Sequence, residues 1–273
     1  MKKNNSLLLS GPYILWMVIF TLIPLGVVGY YALTDPDTGA FTLQNIRDLG
    51  MFLPTLGISI GYSLISALIC LVLGYPVAYF IAHRSPTAQK ILYMLVMLPM
   101  CMSFLLRTLA WVGLLETSGI INTLLGFVGI GPVTMIGTPG AVILGMVYNY
   151  LPYMILPLYA VIVKIDNRLI EAAEDLGCNG VQVFGRVVLP LSIPGILSGI
   201  TMVFVPAVST FYISQKLGGT DTLLIGDVIE RQFKSAGNPN LGAALSLVLM
   251  LLVFICTGIM NRFGGDQEGG VVV

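Results

Sequence analysis

The chain is short of charge, of histidine and of clustered cysteine, and each shortage removes a class of function. Only 10% of its 273 residues are Asp, Glu, Lys or Arg, while 56% are hydrophobic; soluble domains carry about 25% charge. Too little charge remains to cover a water-facing surface, so the expected solvent is lipid. The formal net charge is zero, which leaves no basic surface for a phosphate backbone and argues against nucleic-acid binding. The single histidine, His83, and the four scattered cysteines, Cys70, Cys101, Cys178 and Cys256, form no CxxC and no Cys/His cluster. Neither a metal site nor a disulfide framework is expected from such a set. A GxxxxGK[ST] phosphate loop is also missing, so no nucleotide site is expected on this chain.

What is present in quantity is apolar run. A bilayer core needs about 20 apolar residues per helix, and six stretches qualify, at about 12–33, 54–82, 91–115, 140–163, 191–217 and 241–262. Backbone polar groups in lipid must be satisfied within the segment, so these runs are read as helices. The alternating pattern of a membrane barrel is absent. The expected fold is therefore an all-α membrane protein of six spans, forming one transmembrane domain over residues 1–273. The N-terminal run, Leu7 to Leu33, is too long for a cleaved leader and is read as a retained first span. With the N-terminus inside, Lys2, Lys3, Arg84, Lys90, Lys164, Arg168, Arg186 and Arg262 fall on the cytoplasmic side, and Arg47, Lys216, Arg231 and Lys234 outside. That bias predicts both termini in the cytoplasm.

Prolines inside spans (Pro24, Pro76, Pro99, Pro152, Pro157, Pro194 and Pro206) imply kinked helices supported by neighbours. Gly57, Gly61, Gly195 and Gly199, spaced by four, predict close helix approach. The outer loop 116–139 carries an apolar stretch, Ile120 to Val128, expected to be a short interfacial helix, and the tail GGDQEGGVVV is expected to be disordered.

Several residues carry possible chemistry. GISIG, Gly57 to Gly61, matches the G-x-S-x-G of serine hydrolases, but that motif needs a histidine base beside a strand–turn–helix elbow. His83 lies 24 positions beyond Ser59, about 36 Å along a straight helix, so helix packing is the expected role. Arg107 sits within the third run; a charge at membrane depth faces a cavity or a partner, and a gating or packing contact is expected. The outer acidic residues Glu116, Asp221, Asp227 and Glu230 are placed to attract a cation. The aromatics Trp111, Tyr148, Tyr153, Phe211 and Tyr212 are suited to stack on one. Each has an ordinary alternative, a solvated loop or an aromatic belt at the interface.

Between the fourth and fifth runs stands EAAEDLGCNGVQVFGRVVLP, Glu171 to Pro190, a polar interruption in an apolar chain. Arg168 to Leu176 reads as a short helix with Asp166 or Asn167 as its N-cap. Leu169, Ile170, Ala173 and Leu176 share one face, with Arg168, Glu171, Glu174 and Asp175 elsewhere. Gly177 is placed to end the helix in a left-handed turn. Val181 to Val188 resumes an apolar face, and Pro190 is expected to close it ahead of the fifth span. The acidic bias is the wrong sign for anionic headgroups, so a protein partner is expected here.

Glu171-Ala172-Ala173, three residues, Gly177, nine residues, then Val187-x-Leu189-Pro190 resembles the EAA motif of ABC importer permeases, with Val187 where that pattern has isoleucine. The segments LVLGYPVAYFIAH, MVYNYLPYMILPLYA, FYISQKLGG and LIGDVIERQF are similar to the B-type permease of spermidine/putrescine importers, although the neutral Gln215 stands where a carboxylate would suit a polyamine. The resemblance implies the type I ABC importer permease fold in a bacterial cytoplasmic (inner) membrane. It implies a coupling helix in which Arg168, Glu171, Ala172, Ala173, Asp175, Gly177, Leu189 and Pro190 meet a cytoplasmic ABC ATPase dimer. The partners it implies are that ATPase, which uses ATP and Mg, a second, C-type permease subunit, an extracytoplasmic substrate-binding protein and membrane lipid. This chain itself would hold no cofactor and be no enzyme. Other ABC importer substrates (sulfate, iron, thiamine or phosphonate compounds) and an ion-coupled secondary transporter are the alternatives. The spans hold no mid-depth Asp or Glu for ion coupling.

Overall fold

A computed structural model describes residues 11–264 except 14, 37, 220, 221, 235 and 236. Lys2, Lys3, Asp221 and the tail beyond 264 therefore lie outside the described residues. Among those described, six helical segments are long and apolar enough to cross a membrane. The elements are α1 (Gly11–Ala32), α2 (Gln44–Ala82), α3 (Pro86–Met97), α4 (Phe104–Leu115), α5 (Ile120–Phe127), α6 (Pro139–Ile162), α7 (Asn167–Asp175), α8 (Gly180–Val208), α9 (Tyr212–Leu217), α10 (Ile225–Lys234) and α11 (Pro239–Gly264).

The chain divides into two units. In the smaller, which combines the N-terminal part up to Pro54 with Val228–Leu252, Ala32, Ala243 and Ala244 are buried with Val28, Leu49 and Leu247 against them. Polar links seal it: Asn45 Nδ2 donates to Thr34 O at 2.9 Å and Asn240 Nδ2 donates to the same oxygen at 2.6 Å.

The larger unit, Thr55–Asp227 with the end of α11, contains the main core. It is organised around α6 and α8. The glycine spacing on α8 does what the sequence predicts: a Cβ at Gly199 would lie 2.6 Å from Met154 Sδ, and one at Gly195 would lie 3.1 Å from the Pro157 carbonyl. A side chain at either position would press on α6, so glycine allows the close approach, which carries dispersion and backbone proximity where lipid offers no hydrophobic drive. Gly57 and Gly61 are different; a Cβ at either would meet nothing within 4 Å, so their expected packing role is not realised among the described residues. Ser59, between them, is fully buried, donates to Thr55 O at 2.8 Å and accepts the Ile225 N–H at 2.7 Å. It caps the start of α10.

Two runs that read as continuous are broken. The third, expected over 91–115, stops at Met97, tightens into a 3-10 turn at Leu98–Cys101 and passes through an extended Met102 before α4 begins. Pro99 is the cause, since it offers no N–H to the preceding turn and collides with a continued helix. The membrane-capable segment is consequently Phe104–Phe127, which joins α4 and α5. The fifth, expected over 191–217, ends at Val208; Ser209 to Phe211 form the break, three to five residues after Pro206. Both breaks border one cavity.

Candidate functional site

Two regions bring chemistry-bearing side chains together. The first is the elbow between α6 and α8. Asp166 Oδ1 accepts the Arg168 N–H at 3.0 Å and starts α7. At the other end Gly177 has φ +85°, the Gly177 N–H reaches Glu174 O at 2.8 Å, and the Cys178 N–H reaches Ala173 O at 3.0 Å. This is a Schellman ending, which satisfies carbonyls that a helix otherwise leaves bare. One residue later a second cap begins: Asn179 Oδ1 accepts from Gln182 N at 2.9 Å, and Gln182 Oε1 accepts from Asn179 N at 3.0 Å. A helix stop and a reciprocal helix start, separated only by Cys178, make a stiff corner. The capping box was legible in Asn179-Gly180-Val181-Gln182 and is absent from the expectation drawn above.

The corner is stiff yet uncovered. No residue of α7 is buried; Arg168, Glu171, Ala172, Asp175 and Gly177 are exposed, and Ala173 is half-buried. Leu176 and Val181 are 86% and 80% exposed, a high value for apolar side chains beside an otherwise capped turn. Beyond the corner, the expectation for Pro190 needs correcting. It does not close the second arm, because Gly180–Val208 is one helical rod. A wide π-turn at Phe184–Val188, in which the Leu189 N–H bonds to Phe184 O, shifts the register just ahead of the proline. That shift accommodates a residue with no N–H to give, so Leu189 and Pro190 lie inside the rod. Phe184 packs edge-on against Tyr75 at 5.3 Å and Tyr79 at 6.3 Å, and Tyr75 Oη hydrogen-bonds Ser192 Oγ at 2.7 Å. The elbow is thus continuous with α8 and linked to α2 through an aromatic contact.

The second region is a cavity of about 430 Å3 lined by Phe104, Leu105 and Arg107 of α4, Asn149, Tyr150 and Tyr153 of α6, and Ser209 to Tyr212 at the break after α8. Of the sequence-predicted residues it gathers Arg107, Tyr153, Phe211 and Tyr212. Arg107 is only 6% exposed, so it does not snorkel to water. Tyr150 Oη donates to Pro206 O at 3.3 Å, bracing the break. Trp111 and Tyr148 pair with each other, centroids 5.4 Å apart, outside the cavity lining. Glu116 is exposed at the end of α4. Asp227 is buried in the first turn of α10, where its Oδ2 accepts the Leu224 N–H at 2.8 Å. Glu230 belongs to the smaller unit and pairs with Lys234 at 2.6 Å. Within the larger unit, Glu116 and Asp227 thus stand in different settings, one exposed and one buried. Asn149, Tyr150, Ser209 and Thr210 were missed; the only signal was polarity within an apolar run, and their meeting depends on the two helix breaks.

No group of three His, Cys, Asp or Glu residues suited to a metal occurs among the described residues.

Residues 71–264 match the family described as binding-protein-dependent transport system inner membrane component. The spermidine/putrescine transport system permease protein PotB of Haemophilus influenzae is 40% identical over 256 residues, 90% of each chain. Its counterpart in Escherichia coli is 38% identical over 247 residues, covering 87% of this chain and 90% of that one. In shape, the chain is similar to one from a bacterial ABC transporter involved in the import of the acidic polysaccharide alginate, with a TM-score of 0.81, 19% identity and 97% of each chain covered. The family match over more than half the chain, the two relatives and the six membrane-capable helices agree: this chain is a multi-pass membrane protein and belongs to the inner-membrane permeases of binding-protein-dependent ABC importers.

Proposed function

We propose that this chain forms one transmembrane half of an ATP-driven importer of polyamines of the spermidine/putrescine type, in a bacterial inner membrane with both termini in the cytoplasm. The elbow docks on a cytoplasmic ABC ATPase dimer through Glu171, Ala172 and Gly177, flanked by Arg168, Ala173 and Asp175. ATP and Mg act on that partner, and closure of the ATPase drives the α8 rod so that the path opens alternately to each side. A C-type second permease completes the path, and an extracytoplasmic binding protein delivers the solute. Tyr153, Phe211 and Tyr212 offer π-faces to passing ammonium groups.

The observation that carries this reading is the elbow itself. Its backbone is fully capped while its apolar and acidic side chains stay bare, and a surface ordered at that level without a covering is built for a protein partner. The substrate class is supported by the 40% identity to the Haemophilus permease over 90% of the chain.

The test is uptake by vesicles holding the complete transporter, with ATP inside or outside the lumen. Spermidine should accumulate only when ATP reaches the ATPase, and sulfate, thiamine or phosphonate should neither accumulate nor compete. Uphill uptake by this chain alone on an ion gradient would overturn the ABC reading, whereas ATP-dependent uptake of another solute would overturn only the polyamine assignment.

A further inference from the structure

Arg107 brings a guanidinium to the cavity wall with part of its donor set unused. Its Nε and Nη1 are buried with no hydrogen-bond partner. The other lining residues are Phe104, Leu105, Asn149, Tyr150, Tyr153, Ser209, Thr210, Phe211 and Tyr212, none of them acidic. Buried charges are otherwise paired, because an uncompensated ion in a low-dielectric wall is among the most destabilising features a fold can hold.

We infer that this cavity takes a carboxylate, and that its source is an Asp or Glu side chain of the facing membrane subunit. The inference rests on the proposed two-subunit path. Charge complementarity selects the chemistry: guanidinium N–H donors want an anionic acceptor of planar, fork-like geometry. The transported solute argues for the source. A bare guanidinium beside Tyr153, Phe211 and Tyr212 would repel each ammonium those rings are suited to hold. A tethered carboxylate cancels that charge permanently, whereas a free anion would have to be carried or released at each cycle. Asn149 Oδ1, also buried and without a partner, then remains as an acceptor for a solute N–H. Arg107 is on this view a positioning residue: it draws the two subunits together at the break and keeps the cavity neutral for cations.

The test uses the complete transporter in nanodiscs and vesicles, with three readouts: thermal midpoint of the complex, basal ATP hydrolysis and spermidine uptake. The first two do not depend on which solute is carried, so they separate this inference from the polyamine assignment. Arg107→Lys, which keeps the charge, should retain most of each. Arg107→Glu should lower the midpoint by several degrees and cut uptake at least ten-fold. Each Asp and Glu in the membrane helices of the second subunit is then changed to Arg in the Arg107→Glu background. Recovery of the midpoint, and of at least ten-fold in uptake, by one of these exchanges supports the pair even if the single variant assembles poorly. The inference is overturned if no exchange restores either quantity, or if Arg107→Gln matches wild type in all three. It is overturned as to source if acetate raises the midpoint of the wild type but not of Arg107→Gln, since the site would then be filled from solution.

Discussion

The elbow and the cavity are opposites. In the elbow the backbone is satisfied and the side chains are bare: the Schellman turn and the Asn179–Gln182 box close the chain at 2.8–3.0 Å, while Leu176 and Val181 face outward. In the cavity Arg107 and Asn149 are buried and leave polar side-chain atoms bare. Exposure without disorder marks a surface finished for a partner to grip. Burial without satisfaction marks one that lacks a component. On the proposals made above both regions are completed by partners, and they are joined by one rod, α8, whose first turn belongs to the elbow and whose end, at the break, borders the cavity.

If that contrast is sound, the elbow should fail by shape and not by stability. Gly177→Asp forces a side chain into φ +85°, a region that costs an ordinary residue about 1–2 kcal/mol, and adds bulk and charge where the turn is open to solvent. ATPase stimulation and transport should fall to background while the amount of protein in the membrane stays near wild type. Near-normal transport in this variant would mean that the elbow is not the gripping surface. Gly177→Ala, strained at least as much in its backbone but adding little bulk and no charge, should lie between the two.

The elbow was legible in the sequence because its determinants are local. A glycine after an amphipathic turn, an Asp ahead of it and the EAA spacing lie within a few residues of one another, and local backbone rules decide the outcome. The six-run count and the α8 glycines were legible for the same kind of reason, as patterns of period and spacing. The cavity was not, because its walls come from three places, Phe104–Arg107, Asn149–Tyr153 and Ser209–Tyr212, brought together by breaks at Cys101–Ser103 and Ser209–Phe211. Hydropathy averages over both breaks, and Pro99 and Pro206 signal a kink without saying whether the helix resumes. Gly57 and Gly61 show the converse limit: a spacing that permits close approach does not say whether this chain or another supplies the neighbour.

A smaller effect is expected when the corner is loosened and not reshaped. Asn179→Ala removes the acceptor for the Gln182 N–H, a loss of about 1 kcal/mol in typical caps. The second arm should fray, so transport per ATP hydrolysed should drop several-fold while ATPase binding changes little. Equal losses in binding and transport would show that the corner's stiffness is not what transmits the motion.

The smallest change is expected at Glu116, where the sequence suggested an acidic mouth. Glu116 is exposed at the end of α4, and a lone surface carboxylate in water attracts a cation by about 1 kcal/mol at contact and less in salt. Glu116→Gln should therefore shift the half-saturating spermidine concentration by less than two-fold in physiological salt. Tyr212→Ala, which removes a cavity wall that also packs on Phe104 at 6.2 Å, should shift it several-fold. The order of these two is what matters. A larger effect at Glu116 would place solute recognition at the outer loop, leaving the aromatic cavity as a passage, and Arg107 would then have no cation to be neutralised for.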